Sequence, residues 1–115
     1  MMRPGELYLA DLYEAGVRPI LIVSRESLNR GGYAVAVPLT SAHFDRRSRL
    51  PNCVPFNAGQ FGLTKECVAQ CEAVLTIERS QINEGGGPLG TLDEATMRSV
   101  IRAIGYVIAS ECEPD

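Results

Sequence analysis

The stretch PILIVSRESLNRGGYAVAVPLT, residues 19–40, holds two apolar runs, PILIVS (19–24) and YAVAVPLT (33–40), around a polar middle. Both runs are rich in Ile, Val and Tyr and are apolar at odd and even positions alike, the pattern of strands covered on both faces, as in a small barrel. Between them, Asn29-Arg30-Gly31-Gly32 supplies turn chemistry, because Asn and Gly tolerate positive φ. An antiparallel hairpin about that turn sets opposite one another residues whose numbers sum to about 58. Arg18 then faces Thr40, with Cβ atoms about 5 Å apart on one face of the sheet.

Outward from this hairpin the chain reads as short strands followed by one helix. GELYLADL (5–12) alternates as a strand does, and further strands are expected at 53–57 and 66–77, with Gly59 and Gly62 marking the loop between them. TLDEATMRSVIRAIGYVIASEC (91–112) places Leu92, Met97, Val100, Ile101, Ile104, Val107 and Ile108 at helical spacing. Thr91 with Glu94 predicts a capping box at its start, and Pro114 lies just beyond its expected end. Gly85-Gly86-Gly87-Pro88 lacks the GxxxxGK[ST] spacing and the preceding strand of a phosphate loop, and reads as a connector. The expected class is mainly β (α+β), a small barrel with a C-terminal α-helix, as a single domain over residues 1–115.

Composition agrees with a folded chain. At 115 residues, 45% hydrophobic and 22% charged, it is long enough to bury a core without staples. The start lacks the apolar run of a secretory signal, and no stretch approaches the roughly 20 apolar residues of a membrane span, so a cytoplasmic protein that does not enter membranes is expected. Cys53, Cys67, Cys71 and Cys112 form no CxxC pair, and the chain has one histidine. Free, mostly buried thiols are the expected state, with no metal site and no cofactor. The net charge of −3 conceals an asymmetry: residues 1–71 carry eight Lys/Arg against six Asp/Glu, residues 72–115 three against eight. An anionic ligand should therefore meet the N-terminal two-thirds.

The pairing of Arg18 with Thr40 is the main chemical signal. Pro19 restricts Arg18 to extended conformations and Pro38 stiffens the approach to Thr40. A guanidinium beside the hydroxyls of Thr40 and Ser41 is a suitable cradle for a phosphate. The plain alternative is an arginine leaving a strand end for solvent and a threonine opening a turn.

At this point the chain resembles the MazF/PemK toxins of type II toxin–antitoxin systems, from about Arg3 to Ala109. The likeness lies in the order and spacing of RPGELYLADL, GVRPILIVSRESLN, AVAVPLTS, LPNCVPF, GLTKECV, LTIERSQI and GPLGTLDEATMRSVIRAI. The resemblance implies an SH3-like barrel with a C-terminal helix, a homodimer, and a sequence-selective, metal-independent endoribonuclease acting on single-stranded RNA or mRNA. It implies catalytic roles for Arg18 and Thr40, attack by the ribose 2′-hydroxyl, and 2′,3′-cyclic phosphate and 5′-hydroxyl ends. It also implies a cognate antitoxin that lays an extended tail along the dimer groove, and an amphipathic helix at 92–110 that supports barrel and dimer.

Around these two residues, Glu14, Ser41 and His43 are candidates for catalytic assistance, Glu14 by likeness to a loop glutamate of many members. Each has a plain alternative as a solvated loop residue. HFDRRSRLP (43–51) clusters Arg46, Arg47 and Arg49 with Phe44, and its place just after the strand that ends at Thr40 favours a backbone grip with one stacking platform for RNA over the plain alternative of a solubilising loop. Two features depart from the family pattern. The loop Tyr13 to Val17 is shorter than in many members, and Glu72-Ala73-Val74-Leu75 replaces an Asp-Gln pair followed by a basic residue. Two other readings therefore stay open: a catalytically weakened RNA-binding homologue, and a non-enzymatic inhibitor on the same barrel, like the related gyrase poisons.

Overall fold

The computed structural model describes residues 2–108, and Cys112 and Pro114 lie outside them. Eight strands form one antiparallel sheet: β1 (Glu6–Asp11), β2 (Val17–Ile22), β3 (Tyr33–Thr40), β4 (Cys53–Phe56), β5 (Cys67–Gln70), β6 (Leu75–Glu78), β7 (Ile82–Asn83) and β8 (Gly90–Thr91). A one-turn helix α1 (Phe44–Arg47) follows β3, and α2 (Glu94–Val107) ends the described chain. The main path runs β4-β5-β3-β2-β1-β7, with β6 on β3 and β8 on β1. No ladder joins β4 to β7, so the expected barrel is an open one.

The opening hairpin has the expected register. Ile20 pairs with Pro38, Leu21 with Val37 and Ile22 with Ala36. Apolar residues on both parities fill two cores. Leu7, Leu21, Val37 and Leu39 join Phe56, Val100 and Ala103 on one face. Tyr8, Ala10, Ile20, Ile22, Ala34 and Ala36 join Met2, Ile77 and Ile82 on the other. Burying the central sheet on both sides is what a doubly apolar strand requires, because either face left wet would cost about 25 cal/mol per Å².

Several local expectations need correction. Asn29 and the glycines after it do not turn the chain through positive φ. Asn29 is instead fully buried: its Nδ2 donates to the carbonyls of Met2 (3.1 Å) and Ser24 (2.9 Å), and its Oδ1 accepts from the Ser24 hydroxyl. The amide works as a staple across the base of the loop.

The expected strand 66–77 is broken by a 3-10 turn at Cys71–Ala73. Cys71 N–H donates to Asn52 O at 3.0 Å and its side chain is buried. The chain thereby shifts from pairing with the end of β3 (Leu39, Thr40) to pairing with its beginning (Tyr33–Ala36).

The capping box also gives way. Thr91 is drawn into β8 opposite Glu6, and the cap is Asp93, whose carboxylate accepts from Thr96 N–H at 2.7 Å. That charge-assisted bond holds the Asp93 carboxyl below its usual range. The one-turn α1 was not expected within 43–51.

Gly62 and Gly90 let two loops cross. A Cβ on Gly62 would lie 2.0 Å from Leu89 O, and one on Gly90 would lie 2.0 Å from Phe61 O. Gly62 also has φ +80°, which side chains rarely adopt. This crossing seats the 61–65 loop against β8 and so presents residues 63–65 to the end of β3.

Candidate active site

A cavity of about 410 Å³ opens at the end of the β2–β3 hairpin. Leu9, Pro19, Leu39, Leu63 and Cys67 give it an apolar floor, and Arg18, Thr40, Ser41, Thr64 and Lys65 give it polar walls. Arg18 and Thr40 lie two positions beyond the last β2–β3 rung, where Arg18 pairs with Ala10 in β1 and Thr40 with Val68 in β5. Both strands are thus anchored on their outer sides at the level of the cavity.

The short loop after β1 has a definite task. Leu12 N–H donates to Gly16 O, Ala15 N–H to Leu12 O and Gly16 N–H to Tyr13 O, which closes a tight turn. Gly16 at φ 81° makes the reversal possible. The turn aims the Ala15 carbonyl at Arg18, whose Nε donates to it at 2.9 Å. With Nε occupied, the four N–H donors on the two terminal nitrogens stay available in a fixed plane.

Thr40 is prepared in a complementary way. It is 7% exposed, and its Oγ1 accepts from Ala42 N–H at 3.2 Å. Its own hydroxyl hydrogen is therefore free to donate. A planar cationic fork and an oriented hydroxyl lining one cavity suit a tetrahedral oxyanion.

Charge balance favours the same ligand. The ion pairs among the described residues are Arg3–Glu26, Arg79–Glu84 and Arg98–Glu94, so Arg18, Arg46 and Lys65 face no carboxylate within 4.0 Å. Cys67, on the cavity floor, has its thiol pushed up to about 11 by burial and offers no thiolate near neutrality. Among the described residues, no group of three or more His, Cys, Asp and Glu side chains could hold a metal ion.

The remaining candidates divide. Ser41 joins the central cavity to a second recess lined by His43, Phe44, Arg46, Asp45 and Glu66. His43 sits there at φ 54°, a left-handed conformation uncommon for a side-chain-bearing residue. Glu14, Arg47 and Arg49 line neither recess. The charge of Arg47 lies instead near Cys53, the first residue of β4.

Lys65 and Thr64 were not anticipated. They stand in GLTKECV, which has no local periodicity, and they reach the site only through the Gly62–Gly90 crossing. Cys53 and Cys71 are buried free thiols, as expected, and burial raises both. No helix among the described residues is long and apolar enough to cross a membrane.

Known proteins resemble this chain in sequence and fold. A sequence model described as "PemK-like, MazF-like toxin of type II toxin-antitoxin system" matches residues 3–108. The chain is 27% identical to an endoribonuclease MazF of Staphylococcus saprophyticus, over 90% of this chain and 88% of that protein. It is 25% identical to the endoribonuclease EndoA of Bacillus subtilis, over 95% and 96% of the two chains. A mycobacterial endoribonuclease solved with its cognate antitoxin superposes with TM-score 0.76 and 28% identity, over 94% and 95% of the two chains. With nearly every residue from β1 to α2 inside these alignments, the chain belongs to the PemK-like, MazF-like toxins of type II toxin–antitoxin systems.

Proposed function

We propose that the chain, acting as one domain over residues 1–115, is a sequence-selective endoribonuclease that cuts single-stranded RNA at the Arg18–Thr40 cavity. The observation that carries this reading is the pair of pre-set donors: Arg18 tied through Nε to Ala15 O, and Thr40 accepting from Ala42 N–H. The ribose 2′-hydroxyl is the nucleophile, so the protein has to position and neutralise the phosphate rather than supply an attacking group. Arg18 binds the non-bridging oxygens, and the Thr40 hydroxyl donates to one of them. The 2′-oxygen bonds to phosphorus as the 5′-oxygen leaves, giving a 2′,3′-cyclic phosphate and a 5′-hydroxyl.

Ser41 lines the cavity and His43 the adjoining recess, and His43 is one candidate for moving a proton. Glu14, on the adjoining turn, is the alternative carrier. Phe44 and Arg46 accept the neighbouring nucleotide by stacking and phosphate contact. Arg47 and Arg49 contribute charge farther along the strand. No step is routed through a metal.

Relatives solved with antitoxins suggest the regulatory partner: an antitoxin whose extended acidic and apolar tail competes with RNA for Arg18. The exposed apolar residues of α2, Ile101, Tyr106 and Val107, suit a homodimer contact. A cytoplasmic site of action fits an mRNA substrate.

The test is cleavage of an end-labelled, unstructured RNA in EDTA by the purified protein, beside Arg18→Ala and Thr40→Ala. Discrete cuts ending in cyclic phosphate, reduced at least 100-fold in both folded variants, are expected on the scale of losing one transition-state donor. Absence of cleavage at micromolar protein would overturn the reading.

A further inference from the structure

We infer that a recess lined by Ser80, Gln81 and Asn83 is a base-reading subsite for a keto base, uracil or guanine, of the RNA strand cut at Arg18 and Thr40. The inference rests on the ribonuclease reading above.

The recess, about 270 Å³, shares Leu9 and Val17 with the central cavity. It therefore continues the same track on the side opposite His43 and Phe44, and a strand lying across Arg18 passes over both. Asn83 pairs with Leu9 in the β1–β7 ladder. Cross-strand partners share a sheet face, which sets the Asn83 amide on the face of the leucine that floors the central cavity. Val17, on the boundary between the two spaces, is 66% exposed and offers apolar surface to the flat of a ring.

The polar groups of the recess differ in what they leave free. Gln81 is tied at both ends, its Nε2 donating to Asp11 O at 3.0 Å and its Oε1 accepting from Glu78 N–H at 3.0 Å. It serves as a rigid wall. Asn83 is tied at one end, its Oδ1 accepting from Gly85 N–H at 3.1 Å. That bond fixes the orientation of the amide and leaves Nδ2 as an open donor. The Ser80 hydroxyl points its hydrogen at Glu78 Oε2, 3.4 Å away, which leaves its oxygen to accept.

Beside the Asp11 carboxylate, whose Oδ1 already accepts from Tyr13 N–H at 2.9 Å, the recess thus offers one fixed donor, Asn83 Nδ2, and one hydroxyl acceptor, Ser80. A carbonyl oxygen beside a ring N–H is the complement, and it occurs on the Watson–Crick edge of uracil and of guanine. Adenine and cytosine carry an amino donor where those bases carry the carbonyl.

The experiment sequences the ends produced from a randomised RNA pool by the wild type, Asn83→Ala and Asn83→Asp. In the wild type, one position beside the cut should favour U or G. Asn83→Ala should weaken that preference about 3- to 10-fold, the value of one neutral hydrogen bond. Asn83→Asp keeps the oxygen that accepts from Gly85 and replaces the donor by an acceptor, so it should turn the same position toward A or C with the fold retained. Unchanged preferences in both variants overturn the subsite, as does an equal loss of cutting at every sequence. A wild type that cuts no RNA overturns the ribonuclease reading instead, and the subsite with it.

Discussion

Arg18 is useful because one of its donors is already spent. Its Nε–Ala15 O bond removes rotational freedom from a side chain that otherwise loses up to about 2 kcal/mol of rotamer entropy on being fixed. Lysine has a single terminal nitrogen and cannot both hold that carbonyl and present a fork. Arg18→Lys should therefore lower kcat at least 100-fold while leaving the melting temperature within a few degrees, as measured by single-turnover cleavage and thermal denaturation. Lys65 lines the same cavity as a point charge on a flexible four-carbon stem. Lys65→Ala should raise KM more than it lowers kcat. It should also reduce the slope of log K against log salt by about 0.7 for binding to a non-cleavable 2′-deoxy RNA, the expectation for one lost phosphate contact on a single strand. An unchanged slope would remove Lys65 from the binding surface. Of these residues, the convergence of Arg18 and Thr40 at one end of the hairpin was legible because proline neighbours and strand register act over a few positions. Lys65 was not, since nothing local in GLTKECV distinguishes a site lysine from a solvated one.

Among the secondary-structure elements, α2 shows how a correct pattern can carry a wrong boundary. Its apolar spacing identified a helix, yet the start turned on whether Leu92 would be buried by the sheet. Leu92 N–H donates to Gly5 O at 2.9 Å and its side chain is buried, so Thr91 becomes strand and Asp93 becomes the cap. Asp93→Ala should cost about 1 kcal/mol in chemical denaturation, whereas Thr91→Ala, exposed and outside the cap, should cost less than about 0.5 kcal/mol. Equal effects would restore the capping box. The loop crossing is more demanding. Gly90→Ala forces a methyl to within 2.0 Å of Phe61 O, where backbone must move, and should cost about 1–3 kcal/mol. Because that crossing positions residues 63–65, the variant should also lose cleavage in proportion exceeding its loss of folded protein.

Across the whole molecule, the two-sided core sets the response to pH. Burial pushes Cys67 up to about 11 and Cys71 to about 12 from 9.0, and it pushes Tyr8, bonded to Glu6, up to about 12 from 10.0. Groups raised in the folded state contribute stability that is complete below their unfolded values and is lost as pH rises toward their folded ones. Unfolding free energy should thus decline from about pH 9 to pH 12, and less steeply in Cys67→Ala, Cys71→Ala. On the acid side, Glu84 is held low by its two hydrogen bonds from Arg79, at 2.8 and 2.9 Å. Its contribution is present above pH 4.5 and fades as pH falls through its folded value. Denaturant titrations across pH check both limbs, and a flat profile above pH 9 would contradict the burial of the thiols.

The sequence alone determined what depends on neighbours along the chain: doubly apolar strands, a hairpin register that matched at three rungs, a C-terminal helix, and an arginine held extended before a proline. Local sterics and side-chain alternation act within a few residues, so they can be read without the fold. Tertiary structure decided what depends on distant partners. Asn29 became a buried staple because Met2 and Ser24 came within reach of its amide. Arg46 was brought to the recess beside the cavity and Arg47 toward Cys53 of β4, Lys65 to the cavity that Arg18 lines, and Ser80 and Asn83 to the recess that shares Leu9 and Val17 with it. Such contacts are set by how the sheet curls and its loops cross, and burying both faces of the central strands imposes that on the chain as a whole.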